Sequence, residues 1–109
     1  MLRTKAQCIE ICGQCPISKT ADLVGDSVVL LIMRDLMSSP KRFKDLTASL
    51  SGVSTRTLTN KLKFLEEKGL IAKEEQPTTP PHTAYIITKK GKGLQKLIKD
   101  MERYGNDFL

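Results

Sequence analysis

At 109 residues, with 39% hydrophobic and 28% charged side chains, the chain holds enough material for one domain with a modest core, and no second domain is expected. The 18 Lys and Arg against 12 Asp and Glu give a net charge of +6 and a pI near 9.4, which favours an anionic partner such as nucleic acid. The N-terminal MLRTKAQCIEICG lacks the apolar run of about 7 to 15 residues that a secretory signal needs. The longest apolar run, Val28 to Met33, is far short of the roughly 20 residues that span a bilayer, so a cytoplasmic protein without membrane contact is expected.

In chain order, residues 1–14 mix charged and apolar types without a clean period and are expected to form a tail or a short dimer-contacting segment. Pro16 suits the first turn of a helix that Gly25 stops. Ser27 is the expected cap of a strongly apolar helix, Val28 to Met37, in which Val28, Leu31, Ile32 and Leu36 fall at helical spacing. Ser38-Ser39-Pro40 breaks it, because proline disfavours helical geometry in the residue before it.

A short helix, Phe43 to Leu50, then leads across Ser51-Gly52-Val53 into a longer one running to Lys68, with Ser54 as N-cap and Gly69 just past the end. Helix, three-residue turn with Gly, helix is the layout of a helix-turn-helix. On this second helix Leu58, Leu62 and Leu65 share one side, while Arg56, Asn60 and Lys63 point the other way. Two strands are expected at Leu70 to Gln76 and Ala84 to Thr88, around the proline-rich QPTTPPHT loop. Lys90 to Tyr104 reads as an amphipathic helix with a stripe of Leu94, Leu97, Ile98, Met101 and Tyr104, followed by a frayed end at residues 106–109. The fold class is therefore mainly α with a small β-hairpin, a winged helix-turn-helix over residues 15–105.

This layout assigns candidate functions to particular side chains. Thr55, Arg56, Thr59, Asn60 and Lys63 are expected to reach a DNA major groove, where Arg pairs bidentately with guanine and Asn with adenine. Ser54 opens the same helix, and Lys61, nearer the core flank, suits a phosphate contact. Between residues 41 and 63 the cations Lys41, Arg42, Lys44, Arg56, Lys61 and Lys63 face the single anion Asp45, so the positive field has a side. On the wing, Thr79 and His82 are candidates for DNA contacts, as is Lys89 for phosphate just past the second strand. The terminal stripe reads as a dimer contact, since a lone winged helix offers little to cover it and operator half-sites call for two subunits.

Cys8, Cys12 and Cys15 crowd one end, which fits a reducing compartment better than a disulfide framework. Cys15 falls at a helix N-terminus with Lys19 one turn on, a setting that favours a reactive thiolate. Three readings stay open: thiols without a role, redox or electrophile sensing at Cys15, and a metal held by the C-x3-C-x2-C spacing, for which this segment offers no fourth ligand.

Taken together, Cys15-Pro16, Leu23-Val24-Gly25, LLIMRDL from Leu30 to Leu36, PKRFKDL from Pro40 to Leu46, VSTRTLTNKLKFLEEKGLI from Val53 to Ile71, the PxxPP wing at Pro77 to Pro81 and YIITKKG from Tyr85 to Gly91 resemble the HxlR-type regulators. These are a branch of the MarR-like winged-helix transcription factors, and the resemblance runs from Cys15 to about Tyr104. It implies operator binding as a homodimer joined through terminal helices, and in some members an oxidant-sensing cysteine at the place of Cys15. The chain departs from the pattern at Val28, where the family usually has Trp, and at His82, where Arg or Lys often follows the wing prolines.

An enzyme is not expected: the chain has one histidine, no Gly-rich phosphate loop and no evident Ser-His-Asp set or carboxylate pair, and no cofactor or metal is assigned. The expected function is a sequence-specific regulator, expected to repress, that binds a two-fold-symmetric site on double-stranded DNA. The alternative is a winged-helix module that docks another protein and uses its basic face for charge steering.

Overall fold

The computed structural model describes residues 15–109; the expected tail or dimer-contacting segment, with Cys8 and Cys12, lies outside the described residues. Helix α1 spans Pro16–Val24 and begins at a proline, whose fixed φ and missing N–H suit a first turn. Helix α2 spans Ser27–Ser38. Its cap is Asp26 rather than the expected Ser27: the Asp26 carboxylate accepts the N–H groups of Val28 at 3.0 Å and Val29 at 3.2 Å. Both residues are good caps, and a carboxylate reaches two donors where a hydroxyl one residue later would sit inside the first turn.

The buried face of α2 is Val29, Ile32, Met33 and Leu36, while Val28 and Leu31 of the expected stripe are only half-buried. In the run Val28 to Met33 every side chain is apolar, so two stripes satisfy the helical period equally and the packing partner selects between them. That partner is α4, Thr55–Glu67, whose Leu58, Leu62 and Leu65 are all buried as expected. Between them α3, Phe43–Ser49, adds buried Leu46, and Leu50 follows just past its end. No buried polar or charged residue interrupts this core among the described residues. Each fully buried leucine stabilises by about 2 kcal/mol.

The end of α4 is set by Gly69, whose φ of 76° is the left-handed conformation a side chain resists. Its N–H donates to Glu66 O at 3.0 Å and that of Leu70 to Leu65 O at 3.0 Å, closing the last carbonyls of the helix and turning the chain into the wing. Strands β1, Ile71–Gln76, and β2, His82–Ile87, pair antiparallel from Ile71 opposite Ile87 to Gln76 opposite His82. The second strand starts two residues earlier than Ala84, so His82 and Thr83 belong to the ladder and the tip is residues 77–81. A bridge the sequence did not reveal completes the sheet: Lys41 and Tyr85 exchange N–H···O bonds of 3.1 and 2.7 Å.

The expected continuous helix from Lys90 is two pieces, α5 at Lys89–Lys92 and α6 at Gln95–Phe108. The reason lies at Gly91, which is buried against the chain leaving α4: a Cβ there would stand 2.2 Å from Leu70 O. The Thr88 hydroxyl caps α5, accepting Gly91 N–H at 3.1 Å and donating to Gly69 O at 2.6 Å, so this turn is fastened to the start of the wing before α6 departs. The frayed end expected at residues 106–109 is corrected too. Helix α6 continues to Phe108, whose ring lies 5.0 Å from that of Tyr104, one turn back.

Candidate nucleic-acid interface

The candidate surface is built on α4 because its other face is committed. With three leucines buried, the exposed residues Thr55, Arg56, Thr59, Asn60 and Lys63 are held on one arc of roughly 140°. The side chains of Arg56, Asn60 and Lys63 make no hydrogen bond or ion pair with any described residue, so their donors are open to a ligand. Arg offers a planar fork and Asn a donor and acceptor side by side, the two geometries that read guanine and adenine edges.

Other expected contacts are spent on the scaffold. The Ser54 hydroxyl accepts Thr57 N–H at 3.1 Å and donates to Thr57 Oγ1 at 2.9 Å; it is the cap of α4. Thr59 donates its hydroxyl to Thr55 O at 2.8 Å, one turn back along the helix. Lys61 is the clearest reassignment, for its ammonium is paired with the second carboxylate oxygen of Asp26 instead of joining the open arc. The pair ties α4 to the first turn of α2. At Asp26 partial desolvation pushes the carboxyl up, but the Lys61 hydrogen bond and charge and the two backbone donors outweigh it and hold it below the usual carboxylate range. Asp26 is a positioning residue that sequence reading missed, although the Asp-Ser pair before the apolar run was the signal for it.

Lys41 and Arg42 lie at the start of α3, half-buried, and their backbone is pinned on both sides. Lys41 is bridged to Tyr85 of the wing, and Arg42 N–H donates to Asp45 Oδ2 at 3.0 Å. On the far side of α3 the Ser49 hydroxyl donates to Asp35 Oδ2 at 2.6 Å, fastening α3 to α2. The base of the wing faces the flank of α4: Lys73 lies 3.9 Å from Glu66 and 5.9 Å from the Tyr85 ring centre. At the tip Thr79 is exposed, and the Thr78 hydroxyl closes the turn on Pro80 O at 2.8 Å. His82 is half-buried at the end of the ladder, and Lys89 stands exposed on the first turn of α5.

Two further sets of expected residues lie away from this surface. Cys15 is the N-cap of α1 and half-buried; its carbonyl accepts Lys19 N–H at 3.1 Å. On α6, Leu94 and Ile98 pack against the core and Leu97 is half-buried. Beyond them Met101, Tyr104 and Phe108 are 40%, 59% and 73% exposed, an apolar stripe that leaves the molecule uncovered.

Comparison with known proteins agrees with this layout. Residues 23–109 match the family of HxlR-like helix-turn-helix proteins. The chain is 34% identical over 102 residues to the HTH-type transcriptional regulator sll1512 of Synechocystis, covering 94% of this chain and 76% of that protein. It is also 34% identical over 95 residues to the HTH-type transcriptional regulator YodB of Bacillus subtilis, covering 86% of this chain and 85% of YodB. The structure of reduced YodB superposes with a TM-score of 0.75 over 87% of this chain and 94% of that one. The redox regulator HypR, solved in its oxidised form, superposes with a TM-score of 0.78 at 25% identity, over 87% of this chain and 98% of its own.

Proposed function

The chain belongs to the HxlR-like helix-turn-helix family of transcriptional regulators, and from that premise we propose that it is a sequence-specific repressor whose homodimer binds a two-fold-symmetric operator. The observation that carries the reading is the unpartnered set of Arg56, Asn60 and Lys63 on a helix whose other face is locked into the core. Such a set supplies base readout from Arg56 and Asn60 and phosphate attraction from Lys63. Lys41, Arg42 and Lys89 add charge beside it, and the wing tip at Thr79 with His82 supplies backbone or minor-groove contacts. Selection from a random duplex pool tests this. An enriched site with two-fold symmetry is expected, and recovery of none overturns the reading.

The uncovered stripe of Met101, Tyr104 and Phe108 continues Leu94, Leu97 and Ile98 along α6 and supports pairing of two copies. Two bound helix-turn-helix units then read two half-sites. Among the described residues no helix is long and apolar enough to cross a membrane, which is in keeping with work on DNA in the cytoplasm.

Control of the proposed regulator lies with Cys15. HypR is described as a redox regulator, and YodB has been solved both reduced and after diamide treatment. The half-buried Cys15 thiol at the start of α1 is reachable by an oxidant or electrophile. The expected result is operator affinity that changes on diamide treatment in the intact chain and no longer changes in Cys15→Ser. An unaltered response in that variant removes Cys15 from the reading.

A further inference from the structure

The successive carbonyls of Lys68, Gly69 and Leu70, just past the end of α4, are all held by one short segment. Lys68 O accepts the Lys90 ammonium at 2.7 Å, Gly69 O the Thr88 hydroxyl at 2.6 Å, and Leu70 O the Thr88 N–H at 3.1 Å. The Thr88 hydroxyl in turn accepts Gly91 N–H at 3.1 Å, and Gly91 is buried against Leu70. From there the bonds run on into α6. Gly93 N–H donates to Lys90 O at 3.2 Å, Leu94 N–H to Gly91 O at 3.0 Å and Ile98 N–H to Leu94 O at 2.9 Å. The start of α6 also packs on the core through Leu94 and Ile98. Apolar packing is non-directional and permits rotation, whereas hydrogen bonds fix an angle. The bearing of α6 relative to α4 is therefore set at residues 88–90.

We infer, resting on the paired copies and two half-sites proposed above, that Thr88 and Lys90 are positioning residues that set which half-site spacing the dimer accepts. They act through α4: α6 carries the pairing stripe and α4 the reading residues, so the angle between them sets how far apart two reading heads stand. The lever is long enough to matter. Arg56 stands 12 residues before Lys68, about 18 Å at roughly 1.5 Å per residue. A rotation of about 10° at the joint moves Arg56 by about 3 Å, close to the roughly 3.4 Å between neighbouring base pairs. Because Leu58, Leu62 and Leu65 lock α4 into the core independently, losing a bond of the joint frees the bearing of a reading head and leaves the head itself folded.

The test uses the duplex enriched from the random pool, remade with one base pair inserted or removed at its centre, and a further duplex carrying one half-site. Affinities of the intact chain are read by fluorescence anisotropy. The wild type should favour the enriched spacing over either neighbour by on the order of tenfold. Thr88→Val keeps the side-chain shape without the hydroxyl, and Lys90→Met keeps the stem without the ammonium. Each should narrow that preference about fivefold, the typical weight of one hydrogen bond, with binding to the single half-site within about twofold of wild type. Thr88→Ser and Lys90→Arg should restore the preference. Lys90 is exposed, so its variant keeps the fold even where Thr88→Val does not. A spacing preference unchanged in Lys90→Met and Thr88→Val overturns the inference and leaves operator reading intact. An equal loss on every duplex, the mark of lowered stability alone, overturns it likewise. A wild type that binds one half-site as tightly as two overturns the pairing of copies, and this inference with it.

Discussion

The joint between wing and terminal helix gives a sharp test through Gly91→Ala. A methyl group there would stand 2.2 Å from the carbonyl oxygen of Leu70 and 2.7 Å from Cγ1 of Ile87, and one of those atoms is backbone. Relief needs α5 to move by roughly 1 Å, and the bonds of Thr88 to Leu70 O at 3.1 Å and to Gly69 O at 2.6 Å resist it. Overpacking of this kind costs about 1–3 kcal/mol, a lost hydrogen bond about 1, and the lower chain entropy of alanine returns about 0.5–1. The net is a destabilisation of about 2 kcal/mol, which for a domain of this size lowers Tm by about 8–16 °C. Thermal unfolding followed by far-ultraviolet circular dichroism measures it, at one fixed protein concentration because the proposed pairing of copies would shift Tm. Gly52→Ala is the control: no atom lies within 4 Å of its Cβ position, and its φ is not positive. That variant should hold its Tm or gain slightly. If Gly91→Ala melts with the wild type, or both variants move the same way, the account of this joint is wrong.

Further outcomes follow from the interface and its supports. Arg56→Ala and Asn60→Ala should each cost about 1–3 kcal/mol on the selected operator and relax preference at one base position, whereas Lys63→Ala should weaken all duplexes and reduce the salt slope by about one, measured by fluorescence anisotropy against salt. Lys61→Met should leave that slope unchanged and lower stability instead, because its ammonium serves Asp26; a slope reduced as in Lys63→Ala would return Lys61 to the DNA surface. Asp26, held below the usual carboxylate range when folded, takes up its proton at lower pH in the folded chain than in the unfolded one. Its contribution is complete above about pH 4 and lost as the pH falls further, so Asp26→Asn should flatten the acid limb of urea-measured stability, and an identical limb would contradict the ion-pair account. Tyr104→Asp with Phe108→Asp should yield a monomeric mass in light scattering where the wild type gives a dimer; a monomeric wild type would count against the stripe as the contact.

Much of the site was legible in the chain itself because it depends on short-range rules. Leucines at 58, 62 and 65 fix the inward face of α4, and that alone turns Arg56, Asn60 and Lys63 outward. The boundaries at Pro16 and Gly69 were readable for the same reason, since each rests on the backbone freedom of one residue. Tertiary packing decided what local pattern leaves degenerate. In the apolar run of α2 two stripes were equivalent until α4 docked on one. Lys61 and Lys63 are both lysines on one helix, yet their bearings differ by about 200°, and only the position of Asp26 reveals that one is a brace and the other is free. The break before α6 likewise arises from the approach of Gly91 to Leu70, 21 positions apart in sequence. Periodicity along a helix says which residues share a face; only the arrangement of the other elements says what that face meets.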